Sequence, residues 1–231
     1  MNSFPLNQRR INLILLNYAV GYLFLYPRIL GMLLWLFPSS TRESVSFIFE
    51  NLIYVFVFVS TVILAWPMLK QDAHKIRNRK LSFLKNTGKR YIQMYVVMIV
   101  GNVLVMLITG MENSANQQEV ISQIASHPLQ ILLVSSVFAP LCEEVVFRGV
   151  IFKPLRQKTG FAFAAFVSAF LFGLLHVYVS LLRGNWMDLV YILVYGSMGW
   201  VLSKAVQDYD CIYSSILIHA LNNLFASIML M

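Results

Sequence analysis

Apolar stretches long enough to cross a bilayer recur along the whole chain, and they constrain its fold more than any other feature. A helix needs about 20 consecutive apolar residues to span the hydrocarbon core. Seven stretches qualify, and they lie at 11–37, 45–69, 91–110, 129–152, 161–182, 186–203 and 211–231. None alternates as a transmembrane strand does. The sequence therefore predicts an all-α fold, a polytopic transmembrane helical bundle with about seven spans.

Composition supports a membrane protein rather than a soluble domain. Of the 231 residues, 58% are hydrophobic and only 12% are charged, whereas soluble domains carry about 25% charged residues. The segment 70–90 is the one sizeable polar linker. We divide the single integral membrane domain into N-terminal helices with a basic cytoplasmic loop, 1–128, and a helical core that carries the candidate catalytic residues, 129–231.

Basic residues are distributed unevenly between the two sides of the predicted membrane. With a cytoplasmic N-terminus, the cytoplasmic segments hold fourteen of the 18 lysines and arginines, and the outer loops hold only Arg42 and Arg183. This bias follows the positive-inside rule. The net charge of +8 therefore reflects topology and contact with anionic lipid, so the lipid bilayer is the expected partner and nucleic acid is not.

Three charged side chains interrupt the apolar stretch APLCEEVVFRG at 139–149. An ionisable group costs about 2.5–3.5 kcal/mol at the centre of a membrane helix, which makes it a candidate for function. Glu144 and Arg148 are four residues apart, so they share a helix face and can form an ion pair. A structural ion pair accounts for these two residues, but it does not account for Glu143.

Two further polar clusters lie in later spans. His176 ends the sequence LFGLLH, and His219 and Asn223 share a face in IHALNN. A stripe of small residues runs beside His176, at Ala165, Ala169 and Gly173, and such stripes let helices approach closely. Each cluster alone is explained by helix packing. Counting residues from the turn near 159–160 places Glu143 and His176 at a similar depth, so all these groups can converge.

Such a set of side chains can hydrolyse an amide. A buried glutamate beside a histidine can take a proton from water, and a second histidine and an asparagine amide can stabilise the developing oxyanion. A covalent nucleophile is not evident. Cys142 faces away from Glu143, and Ser168 and Ser215 have no clear base as a partner.

Three motifs carry a resemblance to a known family. EEVVFR at 143–148 matches EExxxR, FGLLH at 172–176 matches FxxxH, and HALNN at 219–223 matches HxxxN. In this order, each within a predicted span, they resemble the CPBP family of intramembrane proteases. That family includes the type II CAAX prenyl endopeptidases and the bacterial Abi proteins for bacteriocin processing and immunity. The resemblance covers about residues 139–226.

The resemblance implies a role for each residue. Glu143 would activate the water with help from His176, and His219 and Asn223 would form the oxyanion site. Glu144 and Arg148 would support these groups, and Glu144 is sometimes counted as catalytic. No cofactor is favoured, since HExxH is absent; if zinc is present, Glu143, His176 and His219 would bind it.

The expected substrate is a hydrophobic or membrane-associated peptide or protein, such as a pheromone or bacteriocin precursor. The prenyl endopeptidases have eight spans, so the count of seven argues against a prenylated substrate. The small size and basic loops resemble bacterial members, which predicts a multi-pass protein of the bacterial plasma membrane.

Two other functions remain open. The chain could be a non-catalytic membrane protein for immunity or scaffolding, which would need no intact set of reactive groups. A transporter could use the glutamate and histidines as a proton relay. The transporter is disfavoured because the polar groups lie in one half of the chain and no inverted repeat occurs.

Overall fold

The chain is helical throughout the part that its computed structural model describes, residues 4–77 and 80–231, and no strand occurs there. Eight helices follow one another: α1 (Gln8–Leu34), α2 (Arg42–Arg77), α3 (Lys80–Thr109), α4 (Ala115–Ser126), α5 (Pro128–Thr159), α6 (Phe161–Leu182), α7 (Tyr191–Tyr209) and α8 (Ile212–Met229). Short 3₁₀ turns at Ser39–Thr41 and Trp186–Val190 precede α2 and α7. The predicted all-α class is confirmed.

Seven of these helices, all except α4, are long and apolar enough to cross a membrane among the residues that the structure describes. Large apolar side chains such as Leu107, Ile108 and Leu193 are exposed on them. A soluble protein rarely exposes apolar surface on this scale, whereas a bilayer solvates it. The predicted seven-span bundle is therefore confirmed.

Two of the connections between predicted spans contain helical residues. Helix α2 continues to Arg77 and α3 begins at Lys80, so most of the supposed linker 70–90 is helical; residues 78–79 lie outside the described part. Lysine, arginine and glutamine favour helices, so polar sequence can extend a span beyond the membrane. The segment 111–128 contains α4, whose N-terminus is capped by Ser114 Oγ accepting from Gln117 N.

Two compact units make up the chain, Met1–Gln71 and Asp72–Met231. In the first, Arg10 Nη1 donates to the carbonyls of Ile63 and Leu64 at 3.0 and 2.8 Å. Pro67 has no N–H, so the carbonyl four residues earlier loses its intrahelical donor and accepts from the arginine instead. All candidate site residues lie in the second unit. The predicted boundary at 128–129 stays a prediction.

Small residues allow α6 and α7 to pack closely in the second unit. A Cβ on Gly173 would lie 3.0 Å from the Ile192 carbonyl, and one on Gly199 would lie 3.1 Å from both Ala169 Cα and Arg148 Nη2. The predicted stripe on α6 thus faces α7, and glycine at 199 leaves room for the arginine of α5 between these helices.

A cluster of charged groups fixes the beginning of α8, the helix that carries His219. Asp72 is fully buried, and its Oδ2 accepts from Lys153 Nζ at 2.5 Å and from Ile212 N at 2.9 Å. Lys75 Nζ bridges Asp72 and Asp210. Burial acts to raise the pKa of Asp210, but the hydrogen bond from Lys75 and the charge of Lys153 hold it below its usual value.

Candidate active site

Glu144 is the centre of a buried hydrogen-bond network. Its Oε1 accepts from Arg148 Nη1 at 3.0 Å and lies 3.0 Å from His219 Nδ1. Neither Glu144 nor Arg148 is exposed at all, and His219 is 5% exposed. The predicted Glu144–Arg148 ion pair is therefore confirmed. The network also joins α5 directly to α8, because the histidine contacts the same carboxylate oxygen.

Arg148 ties this carboxylate to two more helices. Its Nη2 donates to the Gly199 carbonyl of α7 at 2.9 Å, and its guanidinium lies 4.4 Å from the centre of the Phe172 ring on α6. The surrounding turns of α5, Val145–Phe152, are π-helical, a geometry that is frequent at functional sites. Arg148 thus holds α5, α6 and α7 around one charge.

His176 is held by its own helix in one tautomer. Its Nδ1 lies 2.8 Å from the Phe172 carbonyl, and a carbonyl can only accept, so the proton of the neutral ring is on Nδ1. Its Nε2 then carries a lone pair that can accept a proton. The ring is half-buried and lies within electrostatic range of His219, Arg148 and Glu144.

Asn223 is oriented by a backbone carbonyl that a proline leaves free. The π-helical turn at Val134–Phe138 pairs Ala139 N with Val134 O, five residues earlier. The next donor in that register would be Pro140, which has no N–H. The Ser135 carbonyl instead accepts from Asn223 Nδ2 at 2.9 Å.

The second N–H of the Asn223 amide and the Nε2 of His219 remain for other partners. Asn222 Nδ2 donates to Asn223 Oδ1 at 3.3 Å, which fixes the direction of the amide. For His219, Nδ1 faces Glu144, so Nε2 is its other hydrogen-bonding atom. If the neutral ring carries its proton on Nδ1, its Nε2 can only accept. Nε2 can donate when the Glu144–His219 pair holds one more proton, either as an imidazolium or as a protonated Glu144 that donates to Nδ1.

Glu143 is buried, with 8% of the residue exposed, and it lies close enough to Arg148 to interact with its charge. Direct hydrogen bonds join Glu144, Arg148 and His219. Glu143 adjoins that network because it lies within range of the Arg148 charge. His176 adjoins it because it contacts Phe172, whose ring lies under the Arg148 guanidinium. The side chains therefore gather around the middle of α5, α6 and α8, and their catalytic roles stay predictions.

In the described part of the chain the side chains form no ready zinc site, and the metal dependence stays a prediction. Among residues 4–77 and 80–231, no group of three or more histidine, cysteine, aspartate and glutamate side chains is placed to hold a metal ion. Glu143, His176 and His219 would be the ligands that the sequence suggests. Phe172 O and Glu144 Oε1 each bond to Nδ1 of one of the two rings, which leaves Nε2 of each ring as the nitrogen that could bind a metal.

Sequence reasoning did not identify several residues that shape this site. They are Ser135, Gly199, Asn222 and Tyr195, the last of which stacks on His176 with ring centroids 4.3 Å apart. Pro140 was a usable signal, because a proline within an apolar span frees a carbonyl that needs a donor. Ser135, Gly199 and Tyr195 touch the site through contacts between distant parts of the chain, whereas Asn222 adjoins Asn223.

Comparison with known proteins finds similarity over the part of the chain that carries the candidate site residues. The family model described as "Type II CAAX prenyl endopeptidase Rce1-like" matches residues 125–225, which include all six candidate residues. The Staphylococcus aureus protein "Membrane-embedded CAAX protease MroQ" is 29% identical over 206 residues, 82% of this chain and 76% of that protein. The resemblance to the CPBP family is confirmed.

A second relative matches a shorter region. The Bacillus subtilis protein "Putative membrane peptidase YdiL" is 34% identical over 116 residues, which are 50% of this chain. The alignment covers 43% of that relative's own length. No solved structure gives a significant match to the chain.

Proposed function

We propose that this chain is an intramembrane endopeptidase that hydrolyses a peptide bond of a hydrophobic or membrane-associated peptide. The observation that carries the proposal is the orientation of His219 and Asn223. Each is fixed by one buried partner, Glu144 Oε1 and Ser135 O, at 3.0 and 2.9 Å. His219 keeps Nε2 and Asn223 keeps the second N–H of Nδ2 for a substrate oxygen, and the two residues lie one turn apart on α8.

The reaction uses water as the nucleophile. Glu143 takes a proton from the water, and His176, whose Nε2 can accept, assists and orients it. The water oxygen attacks the carbonyl carbon of the peptide bond. His219 Nε2–H and Asn223 Nδ2–H donate to the oxyanion that forms. Glu143 then delivers its proton to the leaving nitrogen as the carbon–nitrogen bond breaks.

Glu144 and Arg148 act on this reaction through His219. The carboxylate faces His219 Nδ1 and therefore holds the ring with Nε2 directed away from α5. Arg148 neutralises the carboxylate and fixes its position against the Gly199 carbonyl. Glu144 and Arg148 therefore hold the His219 donor in place before negative charge develops on the substrate oxygen.

The substrate class follows from the location of the site among apolar helices and from the relatives. One relative is named a CAAX protease and the other a membrane peptidase. We propose a peptide precursor such as a bacteriocin or pheromone.

The decisive experiment compares the termini of membrane peptides in a strain that carries Glu143→Gln with those in the parent. Termini that disappear in the variant support the peptidase, and identical termini support the non-catalytic immunity or scaffolding alternative.

The mechanism also predicts how activity responds to a chelator. Glu143, His176, His219 and Asn223 supply a base and oxyanion donors without an ion, so cleavage in detergent should persist after phenanthroline treatment. His219→Gln keeps an amide donor and should retain more turnover than His176→Gln, which removes the proton acceptor. Reversible loss on chelation with recovery on added zinc would overturn this mechanism, and in that case both variants should fail alike.

We also propose that the N-terminus is cytoplasmic and that the protein lies in the plasma membrane. Residues 111–127 would then face outward. Cysteine at Asn113 should be labelled by an impermeant reagent from outside, and cysteine at Lys85 should be labelled only after the membrane is opened; both positions are exposed. The native cysteines, Cys142 and Cys211, are buried, so the parent protein gives the background. The reverse labelling pattern would contradict this orientation.

A further inference from the structure

Tyr195 of α7 contacts His176 although it belongs to none of the three motifs. The two rings are nearly parallel, with an interplanar angle of 21° and centroids 4.3 Å apart. The Nδ1 of the same imidazole is bonded to the Phe172 carbonyl. One nitrogen and one face of His176 are therefore fixed, and only Nε2 remains for the reaction.

The tyrosine is itself held by a segment outside the predicted spans. Its hydroxyl lies 2.7 Å from Ser114 Oγ and accepts from Asn116 Nδ2 at 3.4 Å. Ser114 is almost fully buried and also caps α4 by accepting from Gln117 N. The beginning of α4 thus fixes the ring that lies against the histidine.

Two more contacts anchor this segment. The Ala115 N–H donates to Asp188 Oδ1 at 3.1 Å, and the Tyr191 hydroxyl donates to the Met111 carbonyl at 3.3 Å. Asp188 is completely buried and also accepts from Ser180 Oγ of α6 at 2.6 Å. The support for Tyr195 therefore does not depend on its own hydroxyl bond alone.

We propose that Tyr195 is a positioning residue for His176. Its ring confines the imidazole so that Nε2 points at the water that Glu143 activates, and Ser114 holds the ring in place. This role rests on the proposed peptidase function. The Nδ1 bond alone leaves the imidazole free to tilt. The Phe172 ring, tilted by 50° with its centroid 4.5 Å away, limits this motion in part, and the nearly parallel Tyr195 ring adds the closer restraint. A misplacement of about 1 Å in a catalytic group can lower the rate about 100-fold.

Kinetics of purified variants test the role of the ring. Tyr195→Leu removes the stacked ring and should lower kcat about 10- to 100-fold with KM unchanged. Tyr195→Phe keeps the ring and should restore kcat to near the parent value. Tyr191→Phe is the matched control, because it loses a hydroxyl bond to the same segment without touching His176. A parent-like kcat for Tyr195→Leu, or a loss in Tyr195→Phe as large as in Tyr195→Leu, overturns the proposal.

A chemical readout separates this proposal from the peptidase assignment. Diethyl pyrocarbonate modifies accessible histidine nitrogens, and peptide mass spectrometry gives the rate at His176, with the exposed His127 as reference. The ring should react faster in Tyr195→Leu than in the parent, Tyr195→Phe or Tyr191→Phe. If Tyr195→Leu does not fold, Tyr195→Met replaces it.

The outcomes of this labelling are distinct. Faster modification of His176 in Tyr195→Leu than in the parent supports the positioning, and if that parent cleaves no peptide, it is the peptidase assignment alone that is refuted. Equal modification of His176 in Tyr195→Leu and the parent overturns the positioning, whatever the activity.

Discussion

Replacing Glu143 with glutamine should lower the rate of peptide cleavage by about 10²–10⁴-fold while the protein still folds and inserts. Glutamine has nearly the shape of glutamate, but it cannot take a proton from water at neutral pH. The hydrogen bonds with Arg148 and His219 are made by the Glu144 carboxylate, so the substitution at 143 leaves those contacts in place. The measurement is turnover of a membrane peptide in detergent or nanodiscs, together with thermal unfolding.

Two control variants sharpen this test. Glu143→Asp retains a carboxylate at a shorter reach and should keep more activity than Glu143→Gln. Glu119→Gln changes an exposed glutamate on α4 and should leave cleavage unchanged. If Glu143→Gln cleaves at the parental rate, the base has been assigned to the wrong residue. If Glu144→Gln alone abolishes cleavage without loss of stability, the two glutamates exchange roles.

The fold was predictable from the sequence because the bilayer restricts a spanning chain to helices or closed barrels. Seven apolar stretches without strand alternation therefore sufficed for the class. The ends of the helices were less predictable. Hydropathy locates the membrane crossing, but α3 begins at Lys80 with polar turns that precede its apolar part, and Ser114 caps a polar helix that hydropathy does not reveal.

The site was predictable only in part. Spacing of four residues fixes the Glu144–Arg148 contact, because it is local to one helix. The contact between Glu144 and His219 joins positions 75 residues apart, and spacing carries no information about such a pair. The same holds for Asp72, which caps α8 from the end of α2. Counting residues along the helices predicts that the candidate side chains lie at a similar depth in the membrane, but tertiary packing determines which atoms come into contact.

The second large effect concerns stability rather than chemistry. Arg148→Ala or Glu144→Leu should each lower the free energy of unfolding by about 3–5 kcal/mol, because each leaves a buried charge without its partner. Arg148→Ala would also remove one donor to the Gly199 carbonyl, which keeps the hydrogen bond from Ser203 Oγ. The surface pair Arg90–Asp208 is the comparison, since Asp208→Asn should cost about 0–1 kcal/mol. Unfolding in mixed micelles measures both.

The double variant Glu144→Leu/Arg148→Met separates the role of the pair in folding from its role in the reaction. Removing both charges together leaves no isolated ion, so its stability should exceed that expected from adding the two single losses. Its cleavage activity should nevertheless stay low, because His219 Nδ1 no longer faces a carboxylate. A double variant that regains both stability and cleavage would show that Glu144 does not position His219. Simple additivity of the two losses would show that the two side chains act independently of each other in the folded protein.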